Sequence, residues 1–155
     1  MHSIAVPILD VNFPHDLHYT VDRPDGLGSY LLLHFHTPIE IHTRDGLVKG
    51  GPGDCILYTP DFKQWYRGIG VGFRDDWMHI DGEGVARLIQ RYSLPTNVLV
   101  HPRDTRFFAP LYQTIRREML LKLPFWEEAV GERVQEILRQ LTRQAHLSEI
   151  GRAHV

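Results

Sequence analysis

The segment DRPDGLGSYLLLHF at residues 22–35 combines a turn with a buried strand. Its first half contains Pro24, Gly26 and Gly28, residue types that favour turns because they fix or free the backbone angle φ. Its second half, Tyr30–Phe35, carries apolar side chains at both odd and even positions. Since successive side chains of a strand point to opposite faces, this pattern predicts a strand that is covered on both faces.

The sequence around this segment, up to about residue 80, alternates short apolar runs with turn residues. Turns are indicated by Gly, Pro and Asp, as in RDG at 44–46 and GGPGD at 50–54. Short strands at a spacing of roughly ten residues are typical of an antiparallel sandwich or barrel. We therefore predict a mainly β fold with an antiparallel β-barrel. The apolar runs are HDLHYTV, SYLLLHFH, PIEIHT, GLVKG, CILYTP, QWYRG and VGFRDDWMHI.

After Gly82 the apolar residues follow a helical period. A short helix is predicted to end before Pro95, and two long α-helices are predicted on either side of Pro124. We assign residues 1–102 to the barrel and residues 103–155 to the helical pair, as parts of the same structural domain. The apolar positions are 85, 88, 89 and 92 in the first helix, 108, 111, 112, 115 and 119 in the second, and 126, 130, 134, 137, 138 and 141 in the third.

Composition and charge restrict the classes of function. The chain has 155 residues and a formal net charge of −2, with no clustered basic face of the kind that nucleic-acid binding requires. It has no long apolar run that could span a membrane, and its start has no basic region typical of a signal peptide. The single cysteine, Cys55, lies in an apolar strand and is predicted to be a core residue. We expect a cytoplasmic protein without membrane contact.

A His-x-His motif offers one possible site. His34 and His36 share a strand face, and Glu40 follows at the spacing of the first motif of metal-binding cupins. However, Pro38 interrupts this run, and Trp65 occupies the position where a further histidine ligand is expected. Because indole has no lone pair for a metal ion, we favour histidines that are hydrogen-bonded in a core or pocket and predict no metal and no cofactor.

Aromatic and polar residues concentrate in the predicted barrel and form the second possible site. Asp75, Trp77 and His79 alternate along one strand, so they are expected to face the same way. An aromatic plane with converging hydrogen-bonding groups suits a sugar, while filling of the barrel by aromatic side chains is the alternative. The candidate ligand-binding residues are Arg23, Tyr30, Tyr66, Asp75, Trp77 and His79.

Four motifs within residues 19–82 resemble the N-terminal effector-binding cupin domain of AraC-type transcription regulators. They are DRPDGLGSYLLLHF, PGDCILYTP, QWYRG and DDWMHIDG. The resemblance extends to the arabinose-sensing members of the family and implies a cupin jelly roll that binds a sugar through Arg23, Tyr66 and Trp77. Asp75 stands where those members have a histidine, and an ionised carboxylate accepts hydrogen bonds without donating them. The preferred sugar is therefore expected to differ.

The resemblance implies a small-molecule sensor and not an enzyme. DNA binding would require a C-terminal helix-turn-helix part that follows this domain in the family, and that these 155 residues do not include. The alternatives are a metal-dependent cupin isomerase or oxygenase with His34, His36 and Glu40 as ligands, and a dimerisation module with an empty barrel.

The apolar stripe of the third helix predicts a homodimer. Its spacing is close to that of a helix-packing seam, although a helix that docks on its own barrel shows a similar stripe. Family members often pair through this helix, which would set the spacing of two DNA half-sites. The predicted interface residues are Val130, Val134, Ile137, Leu138 and Leu141.

Overall fold

The computed structural model describes the backbone of residues 3–153 and the side chains of residues 3–148. His154 and Val155, the last residues of the predicted helical part, lie outside the described residues. Residues 3–153 form eight strands followed by three helices. The strands are β1 (Ala5–His15), β2 (Thr20–Arg23), β3 (Tyr30–Phe35), β4 (Ile39–Thr43), β5 (Gly46–Gly50), β6 (Cys55–Tyr58), β7 (Gln64–Gly68) and β8 (Phe73–Asp81), and the helices are α1 (Glu83–Tyr92), α2 (Phe108–Leu121) and α3 (Trp126–Ala153).

The strands form two antiparallel four-stranded sheets. Sheet one has the order β1-β8-β3-β6, and sheet two has the order β2-β7-β4-β5. The prediction of a mainly β fold with C-terminal helices is confirmed, but the prediction of a closed barrel is wrong, since no ladder of the described strands joins the two sheets. The apolar faces are instead buried by stacking one sheet on the other.

Sheet one is the middle layer of the molecule and has a hydrophobic core on each face. One core joins its inner face to sheet two and includes Leu31, Leu33 and Phe35 of β3. The other core joins its outer face to the helices and includes Leu32. The strand β3 is therefore covered on both faces, as its uninterrupted apolar sequence predicted.

The first strand was not among the predicted elements. β1 contains Pro7 and Pro14, residues that argue against a central strand. The structure places β1 at the edge of sheet one, where β8 is its only partner among the described strands, and its register shifts between Ala5 and Ile8 and again between Asp10 and Phe13. Both prolines are tolerated there because an edge strand leaves one side without ladder partners.

The helices pack on the outer face of sheet one, which overturns the predicted dimer interface. Helix α3 buries its apolar stripe in the same core as the strands and helix α2. The five predicted interface residues are at most 2% exposed in the single chain, so they cannot also form the contact surface of a second copy. They are Val130, Val134, Ile137, Leu138 and Leu141. None of the described helices is both long enough and apolar enough to cross a membrane.

Candidate functional site

A cavity of about 280 Å³ opens between the two sheets. Its walls come from β1, β3 and β8 of sheet one and from β2 and β7 of sheet two. Four of the six candidate ligand-binding residues line it, namely Arg23, Tyr66, Trp77 and His79. The remaining lining residues are Ile8, Phe13, His15, Tyr19, Val21 and Leu31.

Arg23 reaches the cavity because the chain reverses directly after it. Gly26 has a φ of +78°, a left-handed conformation that glycine adopts without a steric penalty. The amides of Leu27 and Gly28 both donate to the carbonyl oxygen of Pro60, at 3.2 and 3.0 Å, which ties this turn to the segment before β7. The turn therefore fixes the position of Arg23, the last residue of β2, whose side chain lines the cavity.

The guanidinium of Arg23 is held by a residue of the neighbouring strand. Arg23 pairs with Gln64 across the β2–β7 ladder, and its Nη1 donates to Gln64 Oε1 at 2.8 Å. Gln64 is fully buried, and its Nε2 has no hydrogen-bond partner among the described residues. A buried donor without a partner is costly, but Gln64 itself does not line the cavity, so its role there is to hold Arg23.

Asp75 lies behind the cavity wall and is bonded to a histidine that faces the cavity. His15 Nε2 is 3.0 Å from Asp75 Oδ1, while Asp75 Oδ2 is buried without a partner among the described residues. Burial raises the pKa of the Asp75 carboxyl above its usual 3.8, and the hydrogen bond with His15 opposes that rise. Asp75 is thus a second buried polar group with free hydrogen-bonding capacity beside the cavity.

Aromatic rings form much of the cavity wall. The Trp77 ring contacts Phe13 edge-on at 6.2 Å and His79 at 5.4 Å between ring centroids. The His15 ring stacks on Phe73, at 4.2 Å, and also on Tyr19, at 4.9 Å between ring centroids. These contacts fix the orientation of the rings and leave the indole of Trp77 as an apolar plane at the cavity.

Burial favours the neutral forms of two titratable groups in the cavity, Tyr66 and His79. Burial raises the pKa of the Tyr66 hydroxyl, and the charge of Asp75 adds to this rise while Arg23 opposes it. Burial and then the positive charge of Arg23 lower the pKa of His79 below its ordinary value of 6.5. The cavity therefore combines the guanidinium of Arg23 with aromatic surface and with two groups, Tyr66 and His79, whose neutral forms are favoured.

The predicted ligand-binding residue Tyr30 does not line this cavity, and neither does the possible metal set His34, His36 and Glu40. Tyr30 packs against the helix-side core, because even-numbered residues of β3 point away from sheet two. His34 is on that same outer side, stacked on Phe108 of α2. Glu40 lies in sheet two and pairs with Arg67 at 3.3 Å, so it does not join the two histidines in the metal set of the alternative enzyme hypothesis.

The cavity also contains residues that the sequence analysis missed. Ile8, Phe13 and His15 belong to β1, which was not identified as a strand, and Tyr19 follows in the turn to β2. The only signal was the alternation of Phe13 and His15, two ring-bearing residues that share a strand face directly before a turn.

Comparison with known proteins identifies a similar fold. No family profile and no curated protein matches the sequence. Among solved structures, an apo ToxT variant from Vibrio cholerae matches 92% of this chain with a TM-score of 0.53 and 7% sequence identity. The match covers 56% of the ToxT chain, so this chain spans a little over half the length of that protein. At this identity the similarity is one of fold.

Proposed function

We propose that this chain is the effector-binding domain of an AraC-type transcription regulator. The observation that carries the proposal is the cavity between the sheets, where Arg23 of the DRPDG turn meets Tyr66, Trp77 and His79. The four motifs that resemble this family and the fold shared with ToxT, an AraC-family regulator, support the same function. The activity is binding, not catalysis.

The proposed effector is a small neutral sugar-like molecule. The cavity volume of about 280 Å³ lies just below the usual range of ligand sites, roughly 300–1,000 Å³, which restricts the effector to a small molecule. Trp77 would stack on the apolar face of a sugar ring, while Arg23 would donate to its hydroxyl oxygens. Asp75 Oδ2 would accept a hydrogen bond from a hydroxyl group.

The remaining partners follow from the proposed family. DNA would be bound by a separate helix-turn-helix part, in the cytoplasm, and the domain would act as a homodimer. Because the α3 stripe is already buried in the chain's own core, such a homodimer would require another surface.

Ligand binding can be tested by a thermal-shift screen of pentoses and hexoses, followed by calorimetry of the sugars that raise the melting temperature. A ligand at 100 times its Kd is expected to stabilise the domain by about 2.7 kcal/mol. Trp77→Ala should weaken binding by at least about tenfold, since the stacking plane is lost. Trp65→Ala is the matched control, because Trp65 is on β7 of sheet two, does not line the cavity and lies under the guanidinium of Arg67 at 5.3 Å.

The screen should include small carboxylic acids, because Arg23 is a cation that could pair with them. If only acids bind and Trp77→Ala weakens their binding, the cavity is the effector site but the effector is an acid and not a sugar. If sugars bind equally well to wild type, Trp77→Ala and Arg23→Ala, the effector site is not this cavity. Arg67→Ala is the charge-matched control for Arg23→Ala.

A further inference from the structure

A second polar cluster lies on the opposite face of sheet one from the cavity. It consists of His34, His36 and Asp76, and one ligand atom from each lies within 4.8 Å of the other two. His34 and Asp76 are neighbours across the β3–β8 ladder, with their side chains on the helix side of the sheet. Two imidazoles and a carboxylate are a ligand set that divalent transition-metal ions prefer.

One hydrogen bond and one further close contact already bring the candidate ligand atoms of this cluster together. His34 Nδ1 is 2.8 Å from Asp76 Oδ2, and His36 Nε2 is 2.9 Å from Asp76 Oδ1. The second contact is close but lacks hydrogen-bond geometry, so His36 Nε2 is a buried nitrogen without a hydrogen bond among the described residues. Tetrahedral ligands of a zinc ion are about 3.4 Å apart, so small movements would bring the three atoms to metal-binding distances.

The surroundings hold these side chains in place and leave room beside them. The ring of His34 stacks on Phe108 at 4.4 Å with an interplanar angle of 14°, and Asp76 Oδ1 accepts from the amide of Asn12 at 2.7 Å. Such outer contacts orient the first ligands of metal sites. A cleft of about 430 Å³, lined also by Gly53 of the β5–β6 turn and by Thr105 before α2, provides entry for the ion and space for a water ligand.

We propose that His34, His36 and Asp76 bind a divalent transition-metal ion where β3, β8 and α2 meet. The site is distinct from the effector cavity, because the three side chains face the helices whereas the cavity lies between the two sheets. It is also distinct from the set with Glu40, since Asp76 supplies the carboxylate. The ion would connect sheet one to the start of α2 through His34 and its contact with Phe108.

Zinc is the probe, added as Zn²⁺ to the full chain without a histidine tag. Equilibrium dialysis with elemental analysis should give one zinc ion per chain, and competition with a chromophoric chelator should give its affinity. His36→Ala should weaken zinc binding by at least tenfold. His18→Ala is the matched control, because His18 is an exposed histidine outside the cluster. Co²⁺ should show the visible absorption of a low-coordinate site in wild type and in His18→Ala, but not in His36→Ala.

A measurement on the wild-type chain covers the case in which the substitution disturbs folding. The side chain of His36 is 35% exposed although its Nε2 is buried, so we expect diethyl pyrocarbonate to modify the ring slowly, and zinc should slow that modification further without protecting His18. Less than one zinc ion per chain at saturation would overturn the proposal. Equal zinc affinity of folded His36→Ala and wild type, or equal modification of His36 with and without zinc, would overturn it as well.

Discussion

Gly26 and Arg23 illustrate how single residues build the effector cavity. The turn after β2 brings Gly26 so close to the Pro60 carbonyl that no side chain fits between them. This contact holds the turn against the segment before β7, while Arg23 bonds to Gln64 of β7 itself. The position of the guanidinium therefore depends on a residue that carries no side chain.

Gly26→Ala should destabilise the domain by about 2–4 kcal/mol, because the new Cβ overlaps the Pro60 oxygen and the left-handed φ becomes strained. Urea unfolding at constant pH measures this loss. Gly51→Ala is the control, since its added Cβ would meet no atom and its φ is not in the left-handed region. Equal midpoints for the two variants would contradict the packing described for the turn.

His79 should make the domain less stable in weak acid. Burial lowers the pKa of His79 in the folded chain below its ordinary value of 6.5. Above pH 6.5 the imidazole is mainly neutral in both the folded and the unfolded chain. Below pH 6.5 the unfolded chain binds the proton first, which favours unfolding. The melting temperature should therefore fall less between pH 7 and pH 5.5 in His79→Gln than in wild type. His18→Gln, an exposed control, should follow wild type; an identical fall in all three would refute this role of His79.

Elements with one strong local signal were predictable from the sequence. β7, at QWYRG, and α2, which ends before Pro124, appear where predicted, because turn residues and helical periodicity act over a few positions. β1 was missed because the prolines that contradict a central strand are acceptable at an edge, and edge position is set by the distant strand β8. Because β1 was missed, the part of the cavity wall that it forms, including Phe13 and His15, was not predicted either.

Helix α3 was predicted as an element, but the surface against which it packs could not be predicted from its sequence. Its periodicity correctly predicts a helix with an apolar stripe, but such a stripe has the same width whether it covers a partner or the chain's own sheet. The structure resolves this choice, since Val134 and Leu141 are fully buried against the strands and helices of the same chain.

Leu141→Glu should therefore unfold or severely destabilise the domain, by at least about 3 kcal/mol, because it places an unpaired charge in a filled core. Leu147→Glu is the control on the same helix, as Leu147 is 43% exposed, and it should cost little. Circular dichroism during thermal unfolding measures both. A folded Leu141→Glu chain with near wild-type stability, detected as a monomer by light scattering, would restore the stripe as a dimer interface.

At the scale of the whole molecule, sheet one is shared by two cores. Leu31 and Leu33 of β3 contribute to the core between the sheets, whereas Leu32 contributes to the core under the helices. Neither core can lose its contacts without exposing one face of the same strands. Helices and sheets are therefore expected to unfold together.

A two-probe experiment tests this cooperativity. In Trp126→Phe the remaining tryptophans, Trp65 and Trp77, lie in β7 and β8, so fluorescence reports on the sheets while far-ultraviolet circular dichroism reports mainly on the helices. Both signals should give one urea midpoint. Wild type, measured by circular dichroism, controls for the effect of the substitution. Two separate midpoints would mean that residues 103–155 form a unit of their own.

The pairing of the first strand with the last has a consequence for synthesis on the ribosome. Ala5 pairs with Asp81, so β1 must wait until the whole β region has been translated, on the order of 4–15 s at the usual elongation rate of about 5–20 residues per second. The outer face of sheet one stays uncovered for longer, because helices α2 and α3 are translated last. A nascent chain that has not yet reached α2 exposes Leu32, Leu57 and Met78, which makes this face the part of the molecule that chaperones would meet first.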